Sequence, residues 1–126
     1  MSESTDAAGE LRARLRAGLV AAMKARQPET VSALRTAIAA IDNAEAVEVP
    51  EGAPVAGSEH VAGARVGVGA AEAQRRTLSL DEVRALLAQQ VDERVTEAER
   101  WEGHGRDDAA GRLRREADAL REYLGD

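Results

Sequence analysis

The residues of this chain that could bind a cofactor or substrate are concentrated in a glycine-rich stretch, GSEHVAGARVGVGAAE, at residues 57–72. A phosphate-binding loop of the P-loop kind needs glycines followed by Lys and then Ser or Thr at a helix start, and this stretch has no such pair. A dinucleotide-binding loop needs a third glycine three residues after Gly69, where this chain has Glu72. We therefore predict that the stretch is a structured joint between helices and that the protein binds no cofactor.

The two histidines, His60 and His104, are the first candidates for a metal site. Three or four ligands must converge on a metal ion, and Glu59 points away from its neighbour His60 if the chain is extended there. A di-iron helical bundle requires Glu three residues before His on two helices, and neither histidine has one. We predict no metal site, and we interpret the histidines and stacked glutamates such as Glu93 and Glu97 as solvated surface groups.

No catalytic group is recognisable in the sequence. Ser58, Glu59 and His60 are consecutive along the chain, but a catalytic triad is defined by its geometry in space and not by adjacency in sequence. We predict no catalytic residue and no small-molecule substrate, and therefore that the protein is not an enzyme.

Five basic residues in the first half form the candidate nucleic-acid-binding site. Arg12 and Arg16 are one helical turn apart and share a face of the first predicted helix. Lys24 and Arg26 cluster at its C-terminal end, where cations also complement the helix dipole. Arg35 could join them from the second predicted helix. Contacts between these side chains and a phosphate backbone would weaken as salt is added.

The overall charge argues against a nucleic-acid-binding surface spread over the whole molecule. The formal net charge is −6, and residues 79–126 carry thirteen acidic and eight basic side chains. Residues 1–47 carry six of each, so the first half is neutral overall and only locally basic. The second half should repel phosphate, and only a local basic site remains compatible with nucleic acid.

Length and composition indicate one soluble helical domain. The chain has 126 residues with no Phe, one Trp and one Tyr, so that aliphatic side chains and helix-favouring Ala must build the core. The absence of Cys excludes disulfides and thiolate metal sites. The acidic start, MSESTDAAGE, is unlike a signal peptide, and no apolar run approaches the ~20 residues of a membrane span. We predict a cytoplasmic protein that does not interact with membranes.

Apolar residues at spacings of three and four predict four amphipathic helices, at about 7–25, 28–47, 80–102 and 107–124. Pro28 suits the first turn of the second helix, and Ser79 with Glu82 has the spacing of a capping box before the third. The predicted inner faces are Leu11, Leu15, Leu19 and Met23 with Ala22; Val31, Leu34, Ile38 and Ile41; Val83, Leu87, Val91, Val95 and Ala98; and Leu113, Ala117, Leu120 and Leu124.

These elements predict an all-α fold in which two helical hairpins, 7–47 and 79–124, pack as a four-helix bundle-like pair within a single domain, 1–126. A long glycine-rich connector, 48–78, joins them. Because Val61, Val66 and Val68 are apolar, we predict that the connector is partly ordered and forms an arm that docks on the bundle or reaches a partner.

Three stretches resemble the GatB/YqeY family, which comprises small YqeY-like proteins and the tail of the tRNA-dependent amidotransferase B subunit. The stretches are LRAGLVAAMKARQPETVSALRTAIAAIDNAEAV, LSLDEVRALL and LRREADALREYL. The matching features are SALR around Arg35, the IDNAE that closes the second helix, and the YL at Tyr123 and Leu124. Together they cover most of the chain outside the glycine-rich connector.

The resemblance implies a helical domain without chemistry of its own. Family members continue past YL with a proline and a smaller helical subdomain, whereas this chain ends at Asp126, so it resembles a shortened, actinobacterial-type form. The amidotransferase tail contacts tRNA, and catalysis belongs to other domains of that enzyme. An amidotransferase assignment would therefore rest on similarity alone.

The residues and the resemblance together favour a non-catalytic helical interaction module. The apolar arm indicates contact with a protein partner or with a second copy in a homodimer, and Trp101 adds weakly to this hypothesis. The alternative is a tRNA- or RNA-associated adaptor that uses the five basic residues. The single Trp and single Tyr provide almost no stacking platform for bases.

Overall fold

The computed structural model describes residues 2–46 and 77–125, and the side chains from Ala7 onward within those ranges. The described residues form four α-helices and a terminal 3₁₀ turn, with no β-strand among them, so the predicted all-α fold is confirmed. The helices are α1 (Ser2–Lys24), α2 (Pro28–Ala46), α3 (Leu80–Gly103) and α4 (Asp107–Arg121), and the 3₁₀ turn is Glu122–Leu124. Most of the connector, with His60 and the predicted arm residues Val61, Val66 and Val68, lies outside the described residues.

The helix boundaries differ from the sequence prediction at two places. Helix α1 begins at Ser2, five residues earlier than expected, and residues 2–6 contain no Pro or Gly that would stop a helix. The last predicted helix tightens into the 3₁₀ turn Glu122–Leu124, which ends at Gly125 with a left-handed φ of 79°. Final helical turns commonly tighten in this way.

The predicted capping box starts α3. The Ser79 hydroxyl accepts a hydrogen bond from the Glu82 backbone N–H at 3.1 Å, and the Glu82 carboxylate accepts one from the Ser79 backbone N–H at 2.9 Å. Two backbone donors that would otherwise lack a partner at the helix start are satisfied. The spacing of Ser79 and Glu82 predicted this capping box, and the structure confirms it.

Each hairpin is closed by three residues, 25–27 between α1 and α2 and 104–106 between α3 and α4. Such short links fold the paired helices antiparallel. Helix α4 makes its most extensive contact with α3, α2 packs against both α1 and α4, and α1 contacts α3 less extensively. The largest fully buried side chains are Leu15, Leu34, Ile41, Val83, Leu87 and Leu120. All four helices therefore contribute to one core.

Met23, predicted on the inner face of α1, is instead 48 % exposed. Leu11, Leu15, Leu19 and Met23 recur every four residues, and each such step turns the side chain about 40° further around a helix of 3.6 residues per turn. Leu11 and Leu15 are buried, Leu19 is partly buried, and Met23 has rotated out of the core. Ala22 is buried in its place.

The Tyr123 side chain packs against Gly18 of α1. A Cβ atom at position 18 would overlap the Tyr123 hydroxyl and lie 3.1 Å from Cζ of the ring. The Arg14 guanidinium lies over the same ring, 5.4 Å from its centroid. Gly18 therefore gives the C-terminal turn room to contact α1, although glycine lowers helix propensity there.

None of the helices in the described ranges is both long and apolar enough to span a membrane.

Replacing Gly18 with Ala should destabilise the protein by about 1–3 kcal/mol, because the added methyl group overlaps the Tyr123 hydroxyl. In an unhindered helix the same change would stabilise by about 1 kcal/mol. Urea unfolding of Gly18→Ala, Tyr123→Phe and the double variant measures the coupling. We expect Tyr123→Phe to offset part of the loss, since it removes the overlapping oxygen. Additive effects of the two changes would contradict this packing.

Candidate functional site

A buried ion pair between α3 and α4 is the most enclosed polar group of the described structure. The Arg94 Nε donates to the Glu116 carboxylate at 2.9 Å, and the Arg94 Nη1 donates to the Gln90 side chain at 3.0 Å. Arg94 is 9 % exposed and Glu116 is 8 % exposed. Because the two opposite charges pair within the hairpin, this network holds α3 on α4.

The sequence reasoning missed this pair, although a signal was present. Arg94 lies three residues after Val91 and four before Ala98, so it occupies the buried face of α3. Glu116 has the corresponding place on α4, four residues before Leu120. Opposite charges at core positions of two helices joined by a short turn indicate a buried pair.

Two of the five predicted nucleic-acid-binding residues are engaged in ion pairs between α1 and α2. Arg12 pairs with Glu45, and both side chains are largely buried. Arg16 lies 3.9 Å from Asp42, with both side chains more than half exposed. Arg12 in particular holds the hairpin together, and the acidic partners reduce the positive charge that either arginine presents to a ligand.

The other three predicted residues, Lys24, Arg26 and Arg35, are exposed and form no ion pair with any residue in the described ranges. The structure brings Arg26 and Arg35 together on the lining of one open groove beside the turn between α1 and α2. Lys24 belongs to the last turn of α1, next to Met23. Within residues 2–46 and 77–125, these three cations thus have no acidic partner.

The same end of the hairpin exposes apolar side chains. Val20 and Met23, 51 % and 48 % exposed, are the exposed large hydrophobic residues of the described part of the chain. They are three residues apart and so are neighbours on the surface of α1. Met23, Pro28 and Val31 line the groove, whose volume is about 840 Å³. We call the following set the elbow surface: Val20, Met23, Lys24, Arg26, Val31 and Arg35.

The acidic residue nearest to the elbow surface in sequence is held elsewhere. Glu29, in the first turn of α2, accepts a hydrogen bond from Arg115 of α4 at 3.2 Å. A hydrogen bond from its own backbone N–H, and then the bond from Arg115, lower the pKa of the Glu29 carboxyl. Glu29 is the sole acidic residue between positions 25 and 36. Within the described ranges, Glu29 therefore pairs with Arg115 and not with Arg26 or Arg35.

Arg26 itself has a left-handed backbone, with φ of 58°. The Gln27 N–H donates to the Ala22 carbonyl at 3.0 Å, and the Arg26 N–H donates to the Met23 carbonyl at 3.2 Å. These two bonds form a Schellman motif, in which Gly is strongly preferred at the left-handed position. An arginine in this conformation costs about 1 kcal/mol or more, and such strain is often found at functional sites.

The turn between α3 and α4 has the same hydrogen bonds with Gly at that position. The Arg106 N–H donates to the Trp101 carbonyl at 2.8 Å, and the Gly105 N–H donates to the Glu102 carbonyl at 3.0 Å. Gly105 has φ of 76°. The turn at Gly105 is thus an unstrained turn of the same type, with which the strained turn at Arg26 can be compared.

Three further residues that the sequence singled out, Trp101, His104 and Glu97, lie in the described ranges and make intramolecular contacts. The Arg106 guanidinium lies 5.5 Å from the centroid of the Trp101 indole, and His104 packs edge-on to that ring at 6.4 Å. Glu97 pairs with Arg100. Among the residues that the structure describes, no three His, Cys, Asp or Glu side chains are grouped so as to hold a metal ion.

Comparisons with protein-family models, with curated proteins and with solved structures give no match for this chain. The elbow surface therefore has to be interpreted from its own chemistry. It combines three cations that are unpaired among the described residues, two exposed apolar side chains and a strained backbone.

Replacing Glu116 with Gln should destabilise the protein by about 3 kcal/mol, because Arg94 would remain charged and buried without a counter-ion. The double variant Arg94→Met/Glu116→Leu should recover most of that stability, since neither charge then has to be desolvated. Urea unfolding monitored by circular dichroism tests both. Equal losses in the single and double variants would show that the pair is not the reason for the loss.

Replacing Arg26 with Gly should stabilise the fold by about 1 kcal/mol, because Gly adopts the left-handed conformation without steric cost. Gly105→Ala should have the opposite effect at the equivalent position. Chemical unfolding of the two variants beside the wild type provides the matched comparison. A less stable Arg26→Gly variant would mean that the arginine side chain supports the fold.

Proposed function

We propose that the chain is a non-catalytic helical interaction module that binds a protein partner through the elbow surface. The observation that carries the proposal is that exposed Val20 and Met23 lie beside three cations with no ion-pair partner in the described part of the chain, Lys24, Arg26 and Arg35. Exposed apolar residues surrounded by polar ones are typical of protein-binding sites. The partner is a different protein or a second copy of this chain.

A tRNA- or RNA-associated adaptor is the second candidate. It is favoured by the same three cations and by the resemblance to the GatB/YqeY family, whose amidotransferase tail contacts tRNA. Phosphate contacts alone would leave Val20 and Met23 exposed in the complex. The elbow surface also contains no aromatic ring on which a base could stack. The first candidate therefore explains more of the elbow surface.

Site-specific photo-crosslinking in cells separates the two candidates. A photoreactive amino acid at position 20 lies in the elbow surface, and one at position 88 replaces an exposed alanine of α3 as the matched control. We expect position 20, but not position 88, to give a protein adduct that resists ribonuclease and is identified by mass spectrometry. The change Arg26→Glu/Arg35→Glu should reduce its yield, because it reverses the charges beside the groove.

The other outcomes have distinct meanings. An adduct with a second copy would identify self-association through the elbow surface. An adduct that ribonuclease removes would support the adaptor and contradict the proposed protein partner. Equal adducts at positions 20 and 88, or none at position 20, would show that the elbow surface binds no protein.

A further inference from the structure

The charge of the elbow surface is opposite to that of the whole molecule. The chain carries a formal net charge of −6, yet the elbow surface has three cations and no acidic residue. Glu29, the acid closest to it along the chain, pairs with Arg115. A basic site on an acidic protein attracts a negatively charged ligand locally and repels it elsewhere, so the charge distribution directs such a ligand to this site.

The apolar part of the elbow surface specifies the second property of the ligand. Met23, Pro28 and Val31 line the open groove, and Val20 extends the apolar area along α1. An inorganic phosphate, or the phosphate backbone of a nucleic acid, offers no apolar group for this area. A polypeptide with Leu, Ile, Met or Phe side chains does, and their burial against Met23 would be favourable.

A helix presents both properties on one surface. Apolar side chains at positions i, i+3, i+4 and i+7 form a stripe, and Asp or Glu residues on either side of it project toward the rims of a groove. Arg26 and Arg35 line the groove together with its apolar residues, so carboxylates beside the stripe would meet guanidinium groups that have no partner among the described residues. Bidentate pairing of Arg with carboxylate then fixes the orientation of the ligand.

From these features we propose that the elbow surface binds an acidic amphipathic helix of a partner protein. The inference rests on the proposed function and adds the chemistry of the partner. It also accounts for Arg26: a glycine would relax the left-handed turn but would remove the guanidinium from the groove.

Fluorescence anisotropy of labelled synthetic peptides titrated with the full chain tests the proposal. The probe is an 18-residue peptide with leucines on one helical face flanked by glutamates. One control peptide has lysine in place of every glutamate, and another has the same composition as the probe in an order that disperses the leucines. We expect the acidic amphipathic peptide to bind at least about tenfold more tightly than either control, with an affinity that falls as salt is raised.

Variants of the protein locate the site. We expect binding of the acidic peptide to weaken about tenfold or more in each of two variants, Arg26→Glu/Arg35→Glu and Met23→Ser. We expect Arg26→Gly to weaken binding as well, while the fold stays at least as stable as in the wild type. The matched control is Arg84→Glu/Arg100→Glu, which changes the net charge equally on α3, outside the elbow surface. It should reduce the affinity less than threefold. Circular dichroism and unfolding curves show that every variant is folded.

Several results would overturn the inference. In the first, the acidic peptide does not bind. In the second, the lysine peptide or the dispersed-leucine peptide binds as tightly as the acidic one. The third such result is an equal loss of affinity in the Arg26→Glu/Arg35→Glu and Arg84→Glu/Arg100→Glu variants. Any of them, combined with a specific protein adduct at position 20, would leave the proposed interaction module in place with a partner of different chemistry. One result would overturn both proposals. In it, labelled tRNA binds the wild type but not the Arg26→Glu/Arg35→Glu variant, and the acidic peptide does not bind.

Discussion

Close approach of the helices is the constraint on which the rest of this structure depends. The chain has one Trp, one Tyr and no Phe, and eight of the 17 buried apolar residues in the described ranges are alanines. Small side chains fill a core without voids only when the helix axes are near one another. Gly18 is the extreme case, because it admits the Tyr123 ring into direct contact with α1. The three-residue turns follow from the same constraint, since they keep paired helices adjacent.

Close approach also explains how the charges are distributed. Arg12 and Arg16 reach acidic partners on α2, Arg115 reaches Glu29 from α4, and Arg94 meets Glu116 inside the second hairpin. Long basic side chains next to a neighbouring helix can pair across the contact, whereas those beyond the end of a hairpin have no opposing helix. Lys24 and Arg26 lie at the end of α1 and in the turn that follows it, whereas Arg35 lies two turns into α2. All three stay unpaired among the described residues.

How much the sequence could predict depended on whether a feature is local. Helix positions, the role of Pro28 and the Ser79–Glu82 capping box follow from neighbouring residues, and the structure confirms them. The placement of Met23 was wrong because a spacing of exactly four residues was treated as one face of the helix. The pairing of Arg12 with Glu45 depends on how α2 is aligned with α1, which the sequence alone does not specify. The sequence therefore could not show which of the five basic residues form ion pairs and which, such as Arg26 and Arg35, do not.

The two hairpin turns allow the backbone of Arg26 to be compared with that of Gly105 within one chain. Both turns have the same pair of Schellman hydrogen bonds, and the left-handed position is Gly105 in one and Arg26 in the other. The two turns share this hydrogen-bond pattern, and a side chain at the left-handed position is strained in one of them and absent in the other. In the described structure the Arg26 side chain has no hydrogen bond or ion pair that would compensate for the strained backbone. The proposed acidic partner would supply a compensating interaction, because its carboxylates would pair with the Arg26 guanidinium.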